Sequence, residues 1–222
     1  MRLLPNGLAV LQYDLASTWI EQCGDLVHEP TVRQEICPHI KPGDIVVYAG
    51  AYLGSHTKAY LEAVGPTGKV LAFEPNVRAF NCLQHNCPTA ILFNTGLGHT
   101  KHTRVSFIPP DQIDNYGAIY WKPGAETATS FIPLDSLGLN RVDFIKLDVE
   151  GMEPQVIAGA SKTLLHHRPI LYVELNVAAL ARFGTRPKTL VAAIETLGYR
   201  LQFMRPEHTV DSGEINVFFF PT

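Results

Sequence analysis

From Lys41 onward, short β-rich runs alternate with longer stretches of helical spacing, and this alternation constrains the fold more than any other feature of the sequence. The run 45–49 is apolar throughout and β-branched at its start, which is typical of a buried strand, and a helix is expected to begin at Ser55. Strands that alternate with helices in this way favour a parallel sheet covered on both faces. We therefore predict an α/β protein with a Rossmann-like, doubly wound, mostly parallel sheet.

The same criteria give the remaining elements and the division of the chain. No repeat or linker separates parts of the sequence, so one domain is expected, with residues 1–40 as a helical or mixed N-terminal cap on a main domain spanning 41–222. Residues 99–142 are rich in Pro, Gly, Asn and Thr and predict an insertion of loops and edge strand that shapes a substrate pocket. Further strands are predicted at 70–73, 90–93, 144–147, 170–175, 199–203 and 215–220, and helices at 76–86, 154–166 and 187–197.

Charge and cysteine usage limit the classes of binding partner and the cellular compartment that are expected. The 18 Lys and Arg residues are scattered among 21 Asp and Glu, so the electrostatic pattern of nucleic-acid binding is missing. The four cysteines form no CxxC pair or zinc pattern, which predicts reduced thiols and a cytoplasmic protein. Pro5 and Asn6 interrupt the first apolar run too early for a signal peptide, and the longest apolar stretch, 45–54, is too short for a membrane helix. We expect neither a nucleic-acid nor a membrane partner, and the oligomeric state is not predicted.

A first candidate site lies where the first strand of this pattern turns into its helix. Gly50 and Gly54 stand at the point where doubly wound sheets bind ligands. Tyr52 takes the place of the glycine that lets a backbone approach a pyrophosphate, so an adenosyl ligand is favoured over a dinucleotide. Glu74, at the end of the second strand, can accept bonds from both ribose hydroxyls. Alternatively, the glycines form only a tight turn and Glu74 caps a helix together with Pro75.

A second group of carboxylates follows later strands. Asp148 is expected at the carboxyl end of its strand, beside the first loop, and Glu174, ending the next strand, faces the same crevice. Glu150 and Glu153 precede a helix, where negative charge stabilises the N-terminus. We assign Glu153 this structural role and leave both roles open for Glu150. Asp148, Glu150 and Glu174 could supply oxygen ligands to a divalent cation or bind substrate hydroxyls, and we favour the metal-free interpretation.

Several segments, taken in order, match one family: 43–47, 50–51, 54–57, 70–75, 143–153 and 168–174. Over about residues 41–176 the chain thereby resembles the FkbM-type family of class I methyltransferases that use S-adenosylmethionine (SAM). The resemblance implies SAM as the cofactor and an antiparallel final strand, here 215–220. It implies that Gly50, Ala51 and Gly54 line the methionine end of SAM, that Glu74 binds its ribose, and that Asn94 and Thr95 lie near its adenine. The predicted cofactor site comprises Tyr48, Gly50, Ala51, Tyr52, Gly54, Thr57, Glu74, Pro75, Asn94, Thr95, Asn115, Gly117 and Asp148.

The acceptor side follows from the same resemblance. The loop of Asn115 and Gly117 is expected near the methyl donor or the acceptor, and Tyr116, Tyr120 and Trp121 are candidate acceptor contacts. Asp148 is the leading candidate for a general base. The other candidate catalytic residues are Glu150, Glu174 and His56, the last of which matches the family's His-Thr pair.

The sequence leaves three functions open. The main hypothesis is a SAM-dependent methyltransferase that O-methylates a hydroxyl of a small molecule or sugar. The family usually has Asp where this chain has Tyr48 and Asn where it has Tyr52, and a phenol cannot supply a carboxylate to the methionine ammonium. These departures motivate a second hypothesis, a non-catalytic SAM-binding protein. The fold alone suggests a third, an NAD-dependent or nucleotide-sugar enzyme.

Overall fold

Thirteen strands and seven helices make up the regular structure of the described chain. The computed structural model describes residues 1–27, 29, 31–107, 115, 117, 119–123 and 129–222. The helices are α1 (Leu15–Cys23), α2 (Ser55–Val64), α3 (Val77–Asn86), α4 (Glu153–Gly159), α5 (Ser161–His167), α6 (Val177–Arg182) and α7 (Pro187–Thr196). The strands are β1 (Arg2–Leu3), β2 (Ala9–Val10), β3 (Ile45–Ala49), β4 (Lys69–Phe73), β5 (Ile91–Phe93), β6 (Gly96–Leu97), β7 (His102–Phe107), β8 (Tyr120–Pro123), β9 (Thr129–Ile132), β10 (Phe144–Leu147), β11 (Ile170–Asn176), β12 (Tyr199–Phe203) and β13 (Glu214–Pro221).

The central sheet has seven strands in the order β12-β13-β11-β10-β3-β4-β5. The pairs from β11 to β5 are parallel, whereas β13 runs antiparallel to both β11 and β12. The predicted mostly parallel sheet with an antiparallel final strand is thus confirmed.

Both faces of this sheet are buried, as the doubly wound prediction requires. Val46 and Tyr48 of β3 belong to a core shared with α2 and α3, whereas Val47 and Ala49 belong to a second core shared with α4, α5 and α7. Side chains alternate between the faces of a strand, so β3 must be apolar at successive positions to serve both cores.

Strand register creates a row of residues at one edge of the sheet. Ala49 pairs with Phe73 on one side and with Leu147 on the other, and Leu147 pairs with Val173. The next residue along each strand is therefore level with its neighbours at the carboxyl edge. That row consists of Glu174, Asp148, Gly50, Glu74 and, through the pairing of Phe73 with Phe93, Asn94.

The predicted helix at 154–166 is two helices, α4 and α5, with a break at Ala160. Asp135 causes a new start there, because its carboxylate accepts hydrogen bonds from the backbone N–H groups of Lys162 and Thr163 at 2.9 and 2.8 Å. Such side-chain acceptors satisfy N–H groups at a helix start. Helix α6, which the sequence analysis did not predict, is capped by Asn176, whose side chain accepts from the N–H of Ala179.

The described part of the insertion at 99–142 contains more strand than predicted. Together with β6, which precedes it, the described strands of the insertion form a separate four-stranded sheet in the order β6-β9-β7-β8. None of these described strands joins the central sheet. Antiparallel pairing of β7 with both β8 and β9 satisfies the backbone groups that loops would leave to water.

The first forty residues are of mixed structure. They contain the β1–β2 pair, helix α1 and short helical turns at Val32–Ile36 and Cys37–His39. Leu4, Val10 and Ile20 are buried in the core that also contains Val46 and Tyr48 of β3, so this segment shares a core with the central sheet. Across the described part of the chain, every helix falls short of the length and apolarity that a membrane crossing would require.

Candidate active site

A cavity of about 280 Å³ opens at the carboxyl edge of the central sheet. Its floor includes four members of the level row, namely Gly50, Glu74, Asp148 and Glu174. Helix α1 contributes Trp19 to the wall, and β9 contributes Phe131. Ligands of doubly wound sheets bind at this edge, where the loops that follow parallel strands diverge.

Glu74 is fixed at the end of β4 by the backbone. Its Oε2 accepts from the N–H of Tyr52 at 2.8 Å and its Oε1 from the N–H of Asn76 at 2.7 Å. The side chain is buried, and burial raises the pKa of Glu74 to about 7 despite these two bonds. Each carboxylate oxygen can accept a further bond, so the group can still bind hydroxyl donors in the cavity.

Tyr52 connects the loop after β3 to the N-terminal segment. Its backbone is left-handed, with φ of 49°, and its hydroxyl donates to Oδ1 of Asp14 at 2.5 Å. Asp14 also caps α1, because its Oδ2 accepts from the N–H and the hydroxyl of Ser17. Burial, together with the carboxylate of Asp14, raises the pKa of the Tyr52 phenol well above its usual value. One phenol thus ties the candidate cofactor loop to the start of α1.

Tyr48 and His56 form an aromatic pair on one wall. Their rings stack with centroids 5.7 Å apart, and the edge of Tyr60 meets both. His56 is 7% exposed, its Nδ1 lies 3.4 Å from the hydroxyl of Tyr60, and its Nε2 lies 3.5 Å from a carboxylate oxygen of Glu29. Burial raises the pKa of Tyr48 well above its usual value, so its phenol stays neutral. His56 therefore lines the cavity with both ring nitrogens close to other side chains.

Asp148 lies beside a buried lysine. Oδ2 of Asp148 is 3.3 Å from Nζ of Lys146, which also donates to Asn216 at 2.7 Å and lies 4.7 Å from the ring centre of Tyr172. Burial acts to lower the pKa of Lys146, but the negative charges around it, above all Asp148, raise it above its usual value. Lys146 is therefore a permanent cation directly behind the carboxylate.

Three more glutamates surround Asp148. Burial and the charge of Asp148 raise the pKa of Glu150 to about 8, although Arg182 lies 3.5 Å from its carboxylate. Burial also raises the pKa of Glu153 to about 7, and its Oε1 accepts from the N–H groups of Val149 and Gly151. Burial, Asp148 and Glu150 raise the pKa of Glu174 well above its usual range. The acidic groups on this side of the cavity therefore bind protons more tightly than free carboxylates do.

The cavity is strongly acidic as a whole. Six carboxylates line it, and among the described lining residues there is neither lysine nor arginine. Across the ranges that the structure describes, no group of three or more His, Cys, Asp or Glu side chains is arranged to hold a metal ion. The lining carboxylates are Glu29, Glu74, Asp148, Glu150, Glu174 and Glu214.

Most residues predicted for the site lie around this cavity. Ala51, Gly54, Thr57, Asn94 and Thr95 do not line it. Tyr116 lies outside the described residues, and Tyr120 does not line the cavity, whereas Trp121 does. The predicted residues that line the cavity are Tyr48, Gly50, Tyr52, His56, Glu74, Pro75, Asn115, Gly117, Asp148, Glu150 and Glu174.

Three of the predicted residues outside the cavity have structural contacts. Asn94 donates to the backbone carbonyl of Glu74 at 2.8 Å, and Thr95 donates to that of Ser130 at 2.6 Å. A Cβ on Gly54 would lie 2.8 Å from the sulfur of Cys87, so this glycine is required by packing of α2 against α3. Asn94 supports the loop that carries Glu74, which is an indirect contribution to the site.

Several lining or supporting residues were not identified from the sequence. Lys146 had a signal, since a lysine inside an otherwise apolar buried strand needs a partner. Trp19, Glu29 and Glu214 had none, because no local pattern indicates that the N-terminal segment and the last strand meet at the sheet edge.

Comparison with known proteins identifies the family. Residues 49–201 match the model of the methyltransferase FkbM domain. No sequence among curated proteins matches the chain. A methyltransferase FkbM from Methylobacillus flagellatus KT superposes with a TM-score of 0.52 and 17% identity over 80% of this chain, which spans only 44% of that protein.

Two further structures share the fold. A TehB-like SAM-dependent methyltransferase from Corynebacterium glutamicum has a TM-score of 0.52 and 12% identity over 86% of each chain. A SAM-dependent O-methyltransferase from Thermotoga maritima has a TM-score of 0.50 and 15% identity over 87% of this chain and 65% of that one. The fold is that of the class I methyltransferases, and the chain belongs to the FkbM methyltransferase family.

Proposed function

We propose that this protein is a SAM-dependent methyltransferase that transfers a methyl group to a hydroxyl of a small molecule or sugar. The observation that carries the proposal is the level row at the sheet edge, in which Gly50 separates Glu74 from Asp148. One carboxylate is thereby available to a cofactor and the other to an acceptor within a single cavity. In this account residues 41–222 are the methyltransferase domain and residues 1–40 are its cap.

The residues around the cavity fit SAM. Glu74 is a buried carboxylate suited to a ribose diol, and a lining rich in carboxylates suits a cofactor with a positive sulfonium. The described lining has no lysine or arginine to neutralise a pyrophosphate. This argues against the NAD-dependent and nucleotide-sugar alternatives, and it equally disfavours the phosphates of a nucleic-acid acceptor.

Asp148 would accept the proton of the acceptor hydroxyl, directly or through one water. SAM, when bound, supplies a methyl group that its sulfonium has already made electrophilic. Nζ of Lys146 lies 3.3 Å from the carboxylate of Asp148, and Gly50 and the backbone around Tyr52 would hold the methionine end. Leu97 and Ile119 form an apolar part of the cavity wall. The main task of the protein would be to orient the acceptor hydroxyl toward the methyl group.

The experiment is release of S-adenosylhomocysteine (SAH) from SAM in the presence of a panel of sugars and small alcohols. Asp148→Asn is expected to reduce turnover about 100-fold or more while SAH affinity is unchanged. Asp211→Asn, an exposed aspartate on the surface, is the matched control and should behave as wild type.

Full turnover by Asp148→Asn with unchanged SAH affinity would remove the proposed base. A wild-type protein that binds SAH but methylates no acceptor would support the non-catalytic alternative, which Tyr48 and Tyr52 motivate.

A further inference from the structure

The cavity holds more carboxylates than the proposed function uses. In the proposed function Glu74 binds the cofactor and Asp148 accepts the proton of the acceptor hydroxyl. Glu29 lies beside His56. Glu150, Glu174 and Glu214 remain. Arg182 lies 3.5 Å from Glu150 and Lys146 acts on Glu174, but neither cation lines the cavity. Acidic groups are thus concentrated in a site where neutral hydroxyl recognition does not require them.

These three glutamates lie together on the side of Asp148 that faces away from Glu74. Glu150 follows β10, Glu174 belongs to β11, and Glu214 begins β13, which are consecutive strands in the sheet. After burial, the charges of Asp148 and Glu150 raise the pKa of Glu174, and Glu214 adds to the raised pKa of Glu150. The groups are therefore close enough to interact with one another.

Glu174 is the member whose surroundings are incomplete. It is 6% exposed, and its Oε2 is buried with no hydrogen-bond partner among the described residues. The nearby Lys146 does not fill this place, because its Nζ donates a hydrogen bond to Asn216 and forms an ion pair with Asp148. Because a buried polar atom without a partner is costly, a donor from outside the chain would stabilise this position.

We infer that the acceptor carries a protonated amine near the hydroxyl that is methylated, and that Glu174, Glu150 and Glu214 bind this ammonium group. The inference rests on the proposed function and specifies its acceptor class as amino alcohols or amino sugars. An ammonium brings three N–H donors and a positive charge that acidic side chains can bind. Trp19 and Trp121 line the same cavity, and aromatic faces attract organic cations. A metal ion is a poorer occupant, because no metal-binding group is found among the described residues.

The test uses the full-length protein loaded with SAH, after SAH binding has been measured on its own. Glucosamine and ethanolamine are titrated by ligand-observed NMR against their N-acetyl derivatives, which keep the hydroxyls but have no positive charge. We expect at least one amine to bind about tenfold more tightly than its N-acetyl partner. Glu174→Gln should remove that preference, and Glu214→Gln should reduce it. Glu195→Gln, an exposed glutamate on α7, is the control for a change of net charge and should keep it.

Failure of SAH to bind would overturn the proposed function and, with it, the amine inference. If SAH binds but the N-acetyl partners bind as well as the amines, the amine inference alone is wrong. Absence of binding by both amines, or a preference that survives in Glu174→Gln, overturns it as well.

Discussion

The two halves of the carboxyl edge are built differently. On the side of β3, β4 and β5 the carboxylate is Glu74, and backbone N–H groups bind both of its oxygens. On the side of β10, β11 and β13 the site is made of ionisable side chains, and Oε2 of Glu174 has no partner in the described structure. Gly50 lies at the boundary between the two.

The two kinds of construction suit two different tasks, one common to many proteins and one specific to this protein. Backbone groups depend little on side-chain identity, so a site that they shape can serve a cofactor shared by many proteins. Ionisable side chains can change without changing the fold, so under the proposed function they would determine which acceptor binds.

The largest expected effect on stability comes from a substitution at Gly50, the boundary between the two halves. A Cβ on Gly50 would lie 1.7 Å from the carbonyl oxygen of Asp148, and the backbone φ is 90°. Gly50→Ala should destabilise the protein by about 4 kcal/mol or more, because the ends of β3 and β10 would be forced apart. Denaturant unfolding would measure this.

Gly213→Ala is the matched control for Gly50→Ala. Its φ is 81°, but no atom lies within 4 Å of the added Cβ. We expect a cost of only about 1–2 kcal/mol from the left-handed backbone. Equal costs for the two substitutions would contradict a close approach of the two halves at Gly50.

The acidic half should make stability depend on pH. The pKa of Glu153 is about 7 in the folded protein against an ordinary value of 4.5. The folded state therefore binds more protons between these values, so its stability falls as pH rises through this window. Glu153→Gln keeps an oxygen for the N–H groups of Val149 and Gly151 and removes the titration. At pH 8 this variant should be more stable than wild type by up to about 3 kcal/mol, with the difference fading below pH 4.5.

Unfolding midpoints measured from pH 4 to 8 provide this test. Glu195→Gln, exposed on α7, should leave the profile as in wild type. A Glu153→Gln profile parallel to that of wild type would contradict the raised pKa.

The smallest effect concerns the attachment of the N-terminal segment to the half of the sheet edge that contains Glu74. Tyr52→Phe removes the hydrogen bond to Asp14, while Ser17 continues to donate to that carboxylate. The expected loss is about 1.5 kcal/mol in unfolding free energy. Tyr13→Phe, at an 82% exposed position, should cost nothing measurable. Equal stability of these two variants would show that the bond does not hold the N-terminal segment in place.

Local pattern predicted the central elements because each has a signal in its own residues. The bounds of β3 and β10 and the start of α2 follow from apolar runs and turn residues. The break between α4 and α5 could not be predicted, since it depends on Asp135, which is distant in sequence. The strands of the insertion had no clear alternation, and their order depends on pairing with one another.

The residues of the candidate site also fall into those that local pattern could predict and those that it could not. Gly50, Glu74, Asp148 and Glu174 could be predicted because each directly follows, or lies within, a recognisable strand, and parallel strands end at one edge. Trp19, Glu29 and Glu214 could not, because they reach the cavity through tertiary packing of the chain's two ends. Asn94 was predicted near the adenine, and the structure shows its amide bound to the carbonyl of Glu74. Its contact with a cofactor stays a prediction.

The most direct test of the account is calorimetric titration with SAH of the wild-type protein, Glu74→Ala and the surface control Glu195→Ala, with NAD as a competing ligand. The account predicts micromolar binding to wild type and control, about 100-fold weaker binding to Glu74→Ala, and no competition by NAD. Absence of SAH binding to the wild-type protein, or equal affinity in Glu74→Ala, would contradict the claim that this edge of the sheet is a SAM site.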